Sequence, residues 1–514
     1  MHASHRMIPI LALVLTVGCG GPSPTASDDP APTGTASSAG GAPSQGGGTN
    51  VAGQAGTIAT AGHAGVTSAG GAAGATSKGG AAGANAGSGG KAGGAAGASG
   101  KAGGGAAGTN GGKAGAPSNG GSSGAGGGAA GSGGSAAPAK YAHVSGSKLV
   151  DGDGKPLLLR GVSLGNWMLN EGYMWKFDGP NGDRGRRMEQ RVEELIGADK
   201  AKAFWKAWRA AFVTEADITR IHDLGFNSIR LPLNARLLMP DGQDSFDEEG
   251  FAYVHDVVAW CKKAGLWVIL DMHGAPGGQT GTNIDDDAND HPDLFASGKG
   301  NVDRLVKLWK ELATRYSNEP AVLGYDLLNE PIAPDFSSMN DQLWPTYQKV
   351  GAAIRTVDTH HALIVEGAQW ANNWSTLDAP FDDNFIYSFH KYWDATDTAS
   401  IQGYLDHRNQ WKKPLWVGET GENDDGWYQA VIPMLEKNDV GWAFWTWKKM
   451  DSGNNPYSVP PPSDWWKIQN YVSDPSQKPS PAEAQAVLDQ LVTNVALSHC
   501  TYNEHVVCSL VHCN

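Results

Sequence analysis

From Leu157 onward, short apolar runs alternate with stretches in which apolar residues recur at helical spacing. The period-2 and fully apolar runs predict eight strands: Leu157–Val162, Ser228–Leu231, Trp267–Met272, Val322–Leu328, Leu363–Glu366, Phe385–Phe389, Leu415–Gly418 and Gly441–Trp445. Between them the spacing predicts helices near Thr214–Leu224, Glu248–Ala264, Asn301–Tyr316, Asp341–Val357, Ile401–Trp411 and Trp427–Asn438, with Pro481–Val495 after the last strand. The link between strands five and six is the short one, with room for only a brief helix in Ala371–Asp378. Eight short strands alternating with helices predict an α/β fold, a closed parallel (β/α)8 TIM barrel.

In such a barrel the chemistry sits where the strands end, so the first polar residue after each apolar run is informative. Strand four runs into Asn329-Glu330-Pro331, and the proline forbids the strand to continue. Strand seven ends in Gly418-Glu419-Thr420. Arg230 ends strand two, His273 follows strand three, His390 and Tyr392 follow strand six, and Trp445 ends strand eight. Two carboxylates facing one another at an aromatic-rich mouth suit glycosidic bond cleavage, one protonating the leaving oxygen and the other attacking or activating water. Arg230 is expected to favour the charged form of Glu419, while an aromatic wall keeps Glu330 protonated. Asn329, His273, His390 and Tyr392 are candidates to bind sugar hydroxyls or orient the nucleophile, and Trp445 to stack on a pyranose.

Composition divides the chain. The first 139 residues are mostly Gly, Ala and Ser, and all nineteen tryptophans lie beyond them. Near-repeats such as Gly90-Lys91-Ala92-Gly93-Gly94-Ala95 lack a strict glycine-every-third period, which excludes collagen and predicts a flexible linker. About 120 such residues span roughly 60 Å root-mean-square. His2, His5 and Arg6 precede the apolar run Ile8–Val17, a secretory layout too short to span a bilayer. Leu15-Thr16-Val17-Gly18-Cys19 resembles a bacterial lipoprotein signal with Cys19 as the lipidated residue. The expected organisation is a signal at 1–18, a linker at 19–139, a catalytic domain at 140–498 and a Cys/His-containing tail at 499–514. The expected location is extracellular or at the cell surface, with the membrane touched only through lipidated Cys19.

Charge narrows the partners. The chain carries −14, and residues 1–139 hold five basic and two acidic residues, so the rest carries −14 − 3 = −17. A domain that acidic repels nucleic acid and anionic membrane surfaces and favours neutral or cationic partners.

The motifs together carry a family resemblance. Phe226-Asn227-Ser228-Ile229-Arg230-Leu231-Pro232, Asp271-Met272-His273-Gly274, Asn329-Glu330-Pro331, His390-Lys391-Tyr392, Gly418-Glu419-Thr420 and Phe444-Trp445 resemble glycoside hydrolase family 5 in their order. The resemblance implies that Glu330 is the general acid/base and Glu419 the nucleophile of a retaining β-glucan hydrolase, with no cofactor and no metal, acting as a monomer on glucan polysaccharide or oligosaccharide. Arg160-Gly161-Val162-Ser163-Leu164-Gly165-Asn166-Trp167 is most similar to the exo-β-1,3-glucanase branch. After Pro232, however, the chain continues Leu233-Asn234-Ala235 in place of an aromatic-bearing turn, so β-1,3, β-1,4 and mixed linkages stay open. A glucan-remodelling transglycosylase shares every one of these residues, and a glycan-binding surface protein would be expected to lack one carboxylate.

Three smaller features complete the reading. Asp285-Asp286-Asp287, with Asp290 and His291, could bind a cation but is expected to be a solvated rim, in a loop Gly277–Pro292 that walls the substrate site. Cys261 falls on the apolar face of its helix and is expected to be a buried thiol. Cys500, Cys508 and Cys513 have no standard zinc spacing, and one disulfide with one thiol left over suits an oxidising compartment.

Overall fold

A computed structural model describes residues 140–511 and Cys513. The signal, Cys19 and linker expectations lie outside the described residues. Eight parallel strands close on themselves: Arg160–Ser163, Ser228–Asn234, Trp267–Gly274, Val322–Asp326, Ala362–Glu366, Phe385–Lys391, Leu415–Gly421 and Gly441–Trp445, the eighth pairing with both the seventh and the first. This is the predicted (β/α)8 barrel. The helices Glu248–Ala264 and Asn301–Tyr316 and strand eight match their predicted bounds, and the link between strands five and six holds only the single turn Trp374–Thr376.

Several ends differ for a common reason. Strands two, three, six and seven run two or three residues beyond the apolar runs, because their terminal polar residues remain paired in the closed sheet. Strand four instead stops at Asp326, two residues before its apolar run does.

The barrel interior has two levels. Toward the strand starts it is packed with Leu159, Ile269, Leu323, Ile364, Ile386 and Trp416, against which Val144 and Leu149 of a hairpin, His143–Ser145 with Lys148–Val150, are packed. Toward the strand ends it is polar: Arg230, Asp271, Asp326 and Glu366 are buried there. Apolar burial therefore closes one end of the barrel and leaves the other for chemistry.

Two helices went unpredicted between strand one and the helix Glu215–Asp223: Gly185–Ile196 and Ala198–Phe212. The second is held by a knot of rings in which Trp175 packs within 6.3 Å of Phe204, Trp205, Trp208 and Trp465. The C-terminal segment is packed onto the barrel domain rather than hanging from it. Thr501–Tyr502 pairs with Tyr457–Val459, and Val506, Val507 and Leu510 of the helix Glu504–Val511 are buried in the core. Cys508 and Cys513 form a disulfide, and Cys500 stays a free, half-buried thiol, as expected. Cys261 is buried, also as expected.

Candidate active site

Beyond strand four the chain turns sharply. Glu330 adopts φ 43°, a left-handed conformation that costs a residue with a side chain about 1–3 kcal/mol and is held only where surroundings enforce it. The enforcement is visible: the Glu330 N–H donates to Glu366 Oε2 at 2.7 Å, and its carbonyl accepts from Thr280 Oγ1 at 2.7 Å. The turn thereby aims the carboxyl at strands six and seven. Glu330 Oε1 lies 2.5 Å from His390 Nδ1, which is 3.5 Å from Glu419 Oε2. One oxygen of Glu330, one of Glu419 and a ring nitrogen of His390 all lie within 4.8 Å of one another.

Glu419 is braced through both oxygens. Arg230 Nη1 donates to Oε1 at 2.6 Å and the Tyr392 hydroxyl to Oε2 at 2.7 Å. Arg230 is fully buried and also donates to Asp326 Oδ2 at 3.0 Å and Asn329 Oδ1 at 2.7 Å, with Asp271 at 3.2 Å. His273 Nδ1 meets Asp271 Oδ2 at 2.8 Å, and its ring lies parallel to Trp445, 4.9 Å between centroids at 2°. Trp445 donates its Nε1 hydrogen to the Tyr173 hydroxyl at 2.9 Å. All eight barrel residues singled out from the sequence therefore converge on one mouth.

The two carboxyls are pushed in opposite directions. Burial raises the pKa of Glu330, and the charges of Glu419 and Glu366 add to it, against the opposing pull of His390. Burial also acts on Glu419, but His390, Arg230 and His273 outweigh it and hold its pKa below the usual carboxylate value. The expected aromatic wall around Glu330 is thus replaced by burial and neighbouring carboxylates as the cause. His390 itself loses to burial but gains more from Glu366, Glu419 and Glu330, which push it well above the usual imidazole value and keep it cationic.

Five residues of the site escaped the sequence reading. Glu366, fully buried, accepts from the Glu330 N–H and sits 3.1 Å from His390 Nε2. It ends strand five, so the same strand-end rule that picks out Glu419 reaches it. Asp271 and Asp326 lie inside apolar runs of the sequence and pair with Arg230. Glu171 and Tyr173 lie well past the end of strand one, where no strand-end rule applies. Glu171 is buried with no hydrogen-bond partner for its Oε1 among the described residues. Burial, with Glu419, Glu330 and Glu422 nearby, pushes its pKa well above the carboxylate range.

The acidic stretch Asp285–Asp287 corrects an expectation: it is buried, and no solvated rim. Asp285 Oδ2 accepts from the Thr280 and Gly281 N–H groups at 2.7 and 3.0 Å. Asp286 accepts from Arg236 Nε at 2.7 Å and Asn234 Nδ2 at 3.0 Å, and Asp287 pairs with Arg184. Two arginines, Arg184 and Arg236, supply the counter-charge that water would give an exposed rim. Among the described residues, Glu330, His390 and Glu419 are the one group of His, Cys, Asp and Glu spaced to hold a metal ion, and there a cation would compete with the His390–Glu330 hydrogen bond.

A closed barrel with paired, oppositely tuned carboxyls at its mouth is the architecture of an enzyme acting on glycosidic bonds. Residues 189–451 match the family model for cellulase (glycosyl hydrolase family 5), and the chain belongs to that family. A β-xylosidase of Phanerodontia chrysosporium is 36% identical over 345 residues, 60% of this chain and 71% of that protein. Endoglucanase C of Acetivibrio thermocellus is 28% identical over 322 residues, 49% of this chain and 88% of its own. A probable glucan 1,3-beta-glucosidase A of Aspergillus niger is 27% identical over 282 residues, 52% and 66% respectively. The protein is a glycosidase that hydrolyses glycosyl compounds.

Proposed function

We propose that the enzyme cleaves β-glucan by a retaining double displacement, with Glu330 as general acid/base and Glu419 as nucleophile. The observation that carries this reading is the approach of the two carboxyls to within 4.8 Å, oxygen to oxygen. Retaining enzymes hold the pair about 5–5.5 Å apart, whereas inverting ones leave about 6.5–9.5 Å for a water.

The opposite pKa directions of the two carboxyls support these roles. Glu330, held protonated, gives its proton to the departing glycosidic oxygen while an oxygen of ionised Glu419 attacks the anomeric carbon, forming a glycosyl ester. Glu330, now a carboxylate beside cationic His390, then takes a proton from water as that water displaces Glu419. Tyr392 and Arg230 fix the Glu419 carboxylate in the ground state. When the ester neutralises it, Arg230 keeps its contacts with Asp271 and Asp326. Asn329, His273 and Trp445 supply hydrogen bonds and an apolar face to the sugar, and the unpartnered Glu171 Oε1 is a further group for a hydroxyl.

Two of the three relatives carry glucan-related names and one is a xylosidase, so the substrate is tested rather than inherited. Wild type and Glu419→Ala are assayed on laminarin, lichenan, carboxymethylcellulose, mannan and xylan with products resolved by size. Release of sugar from a β-glucan, lost by 10³-fold or more (an order-of-magnitude figure) in Glu419→Ala, is expected. Cleavage of mannan or xylan alone would sink the glucan assignment, and undiminished activity of Glu419→Ala would sink the nucleophile.

We further infer from Ile8–Val17 and Cys19 that the enzyme is exported and held at a membrane by lipidated Cys19, with residues 20–139 as its tether.

A further inference from the structure

Two large apolar side chains lie mostly exposed among the described residues, Trp393 at 67% and Trp466 at 54%. Trp466 stands on the helix Trp465–Ser473 with the Lys467 ammonium 5.7 Å from its ring, an ordinary surface pairing. Trp393 is different because its exposure is combined with fixation. One side of its indole packs on Tyr392, 5.1 Å between centroids at 27°, and its Nε1 hydrogen is donated to the Glu422 carbonyl at 2.8 Å.

Both anchors lead into the catalytic mouth. Tyr392 donates to the Glu419 carboxylate, and the Glu422 side chain meets the Tyr173 hydroxyl at 3.4 Å and Lys449 Nζ at 2.6 Å. Tyr173 in turn holds Trp445. A ring two-thirds in water yet pinned on one face and one edge has already lost the rotamer freedom that a ligand would otherwise have to remove. Its other face is a flat apolar surface beside a site whose acidic domain disfavours anionic ligands and suits neutral ones. The chemistry that matches a rigid ring rimmed by polar groups is the C–H face of a pyranose, with its hydroxyls left in water.

We propose that Trp393 is the platform for a sugar ring one or two positions along the chain from the bond being cleaved, so that the site takes an oligosaccharide rather than a single sugar. The inference rests on the glycan-cleaving reading of this mouth. The experiment compares wild type, Trp393→Ala and Trp393→Phe on the di-, tri- and tetrasaccharides of whichever β-glycan is cleaved and on the β-glycosyl fluoride of the same sugar, whose leaving group is too small to reach a second ring position. In Trp393→Ala the ratio of kcat/KM for tetrasaccharide to that for the fluoride falls about tenfold, the scale of one lost ring stacking. Trp393→Phe keeps most of the ratio. A ratio unchanged in Trp393→Ala overturns the platform, and so does an equal loss on both substrates, which would make the ring a prop for Tyr392. If only xylo-oligosaccharides are cleaved, the glucan assignment fails while the same ratio, taken with xylosyl fluoride, still decides Trp393.

Discussion

Glu366 shows how a residue that need not touch sugar can set the chemistry of those that do. Its carboxylate lies against the Glu330 amide and His390, and its charge raises the pKa of both. Glu366→Gln keeps an oxygen for the Glu330 N–H and removes the charge. His390 keeps Glu330 and Glu419 beside it and stays cationic, so the pKa of Glu330 falls. Because activity needs Glu330 protonated and Glu419 ionised, it is lost at high pH through Glu330 and at low pH through Glu419. The alkaline limb of kcat/KM in Glu366→Gln therefore moves to lower pH while the acid limb moves less. A uniform loss without that shift would make Glu366 a mere structural support.

At this scale the sequence was informative where a polar residue stood alone at the end of an apolar run, as Arg230, His273, Glu330 and Glu419 do. It also pointed to the pairing of Arg230 with Glu419, and missed the other partners of Arg230. Nothing in the order of residues says that Asp271 and Asp326 pair with Arg230, because both sit inside apolar runs whose neighbours hide them. Burial as the cause of the high Glu330 pKa is likewise a property of the closed barrel and not of the Asn-Glu-Pro motif.

At the scale of elements, alternation assigns one helix to each strand and so passes over Gly185–Ile196, although Met188, Val192, Leu195 and Ile196 carry its helical spacing plainly. That helix matters to the site. Arg184, just before it, is buried against Asp287 and also donates to Asp183 and Asp290, tying the loop Gly277–Pro292 to the rest of the mouth. The same loop supplies Thr280 to the Glu330 turn. Replacing Arg184 with Met leaves Asp287 buried without its counter-charge, a loss of about 3–5 kcal/mol. Urea unfolding should report a stability loss of that order, with KM raised as the loop loosens. An unchanged midpoint would mean that the acidic stretch is held by its turn alone.

At the scale of the whole molecule, composition separated the Gly/Ala/Ser-rich stretch from the aromatic-rich domain, and the eight-strand alternation carried the barrel. The polar end of that barrel faces away from its hairpin-closed end, which leaves one entrance for substrate. If Cys19 is the anchor, Cys19→Ala moves the enzyme from the membrane fraction to the medium and leaves kcat/KM on soluble oligosaccharides unchanged. Retention of the variant in the membrane fraction would contradict the anchor.

In the proposed mechanism two carboxyls this close, tuned apart, perform two inversions at one carbon. Proton NMR of the first minutes of wild-type hydrolysis, on the best β-linked substrate, reads it directly. The β-anomer of the new reducing end is expected to appear first and then mutarotate to the α-anomer; an α-anomer formed first would mean a single inversion, and would contradict Glu419 as nucleophile.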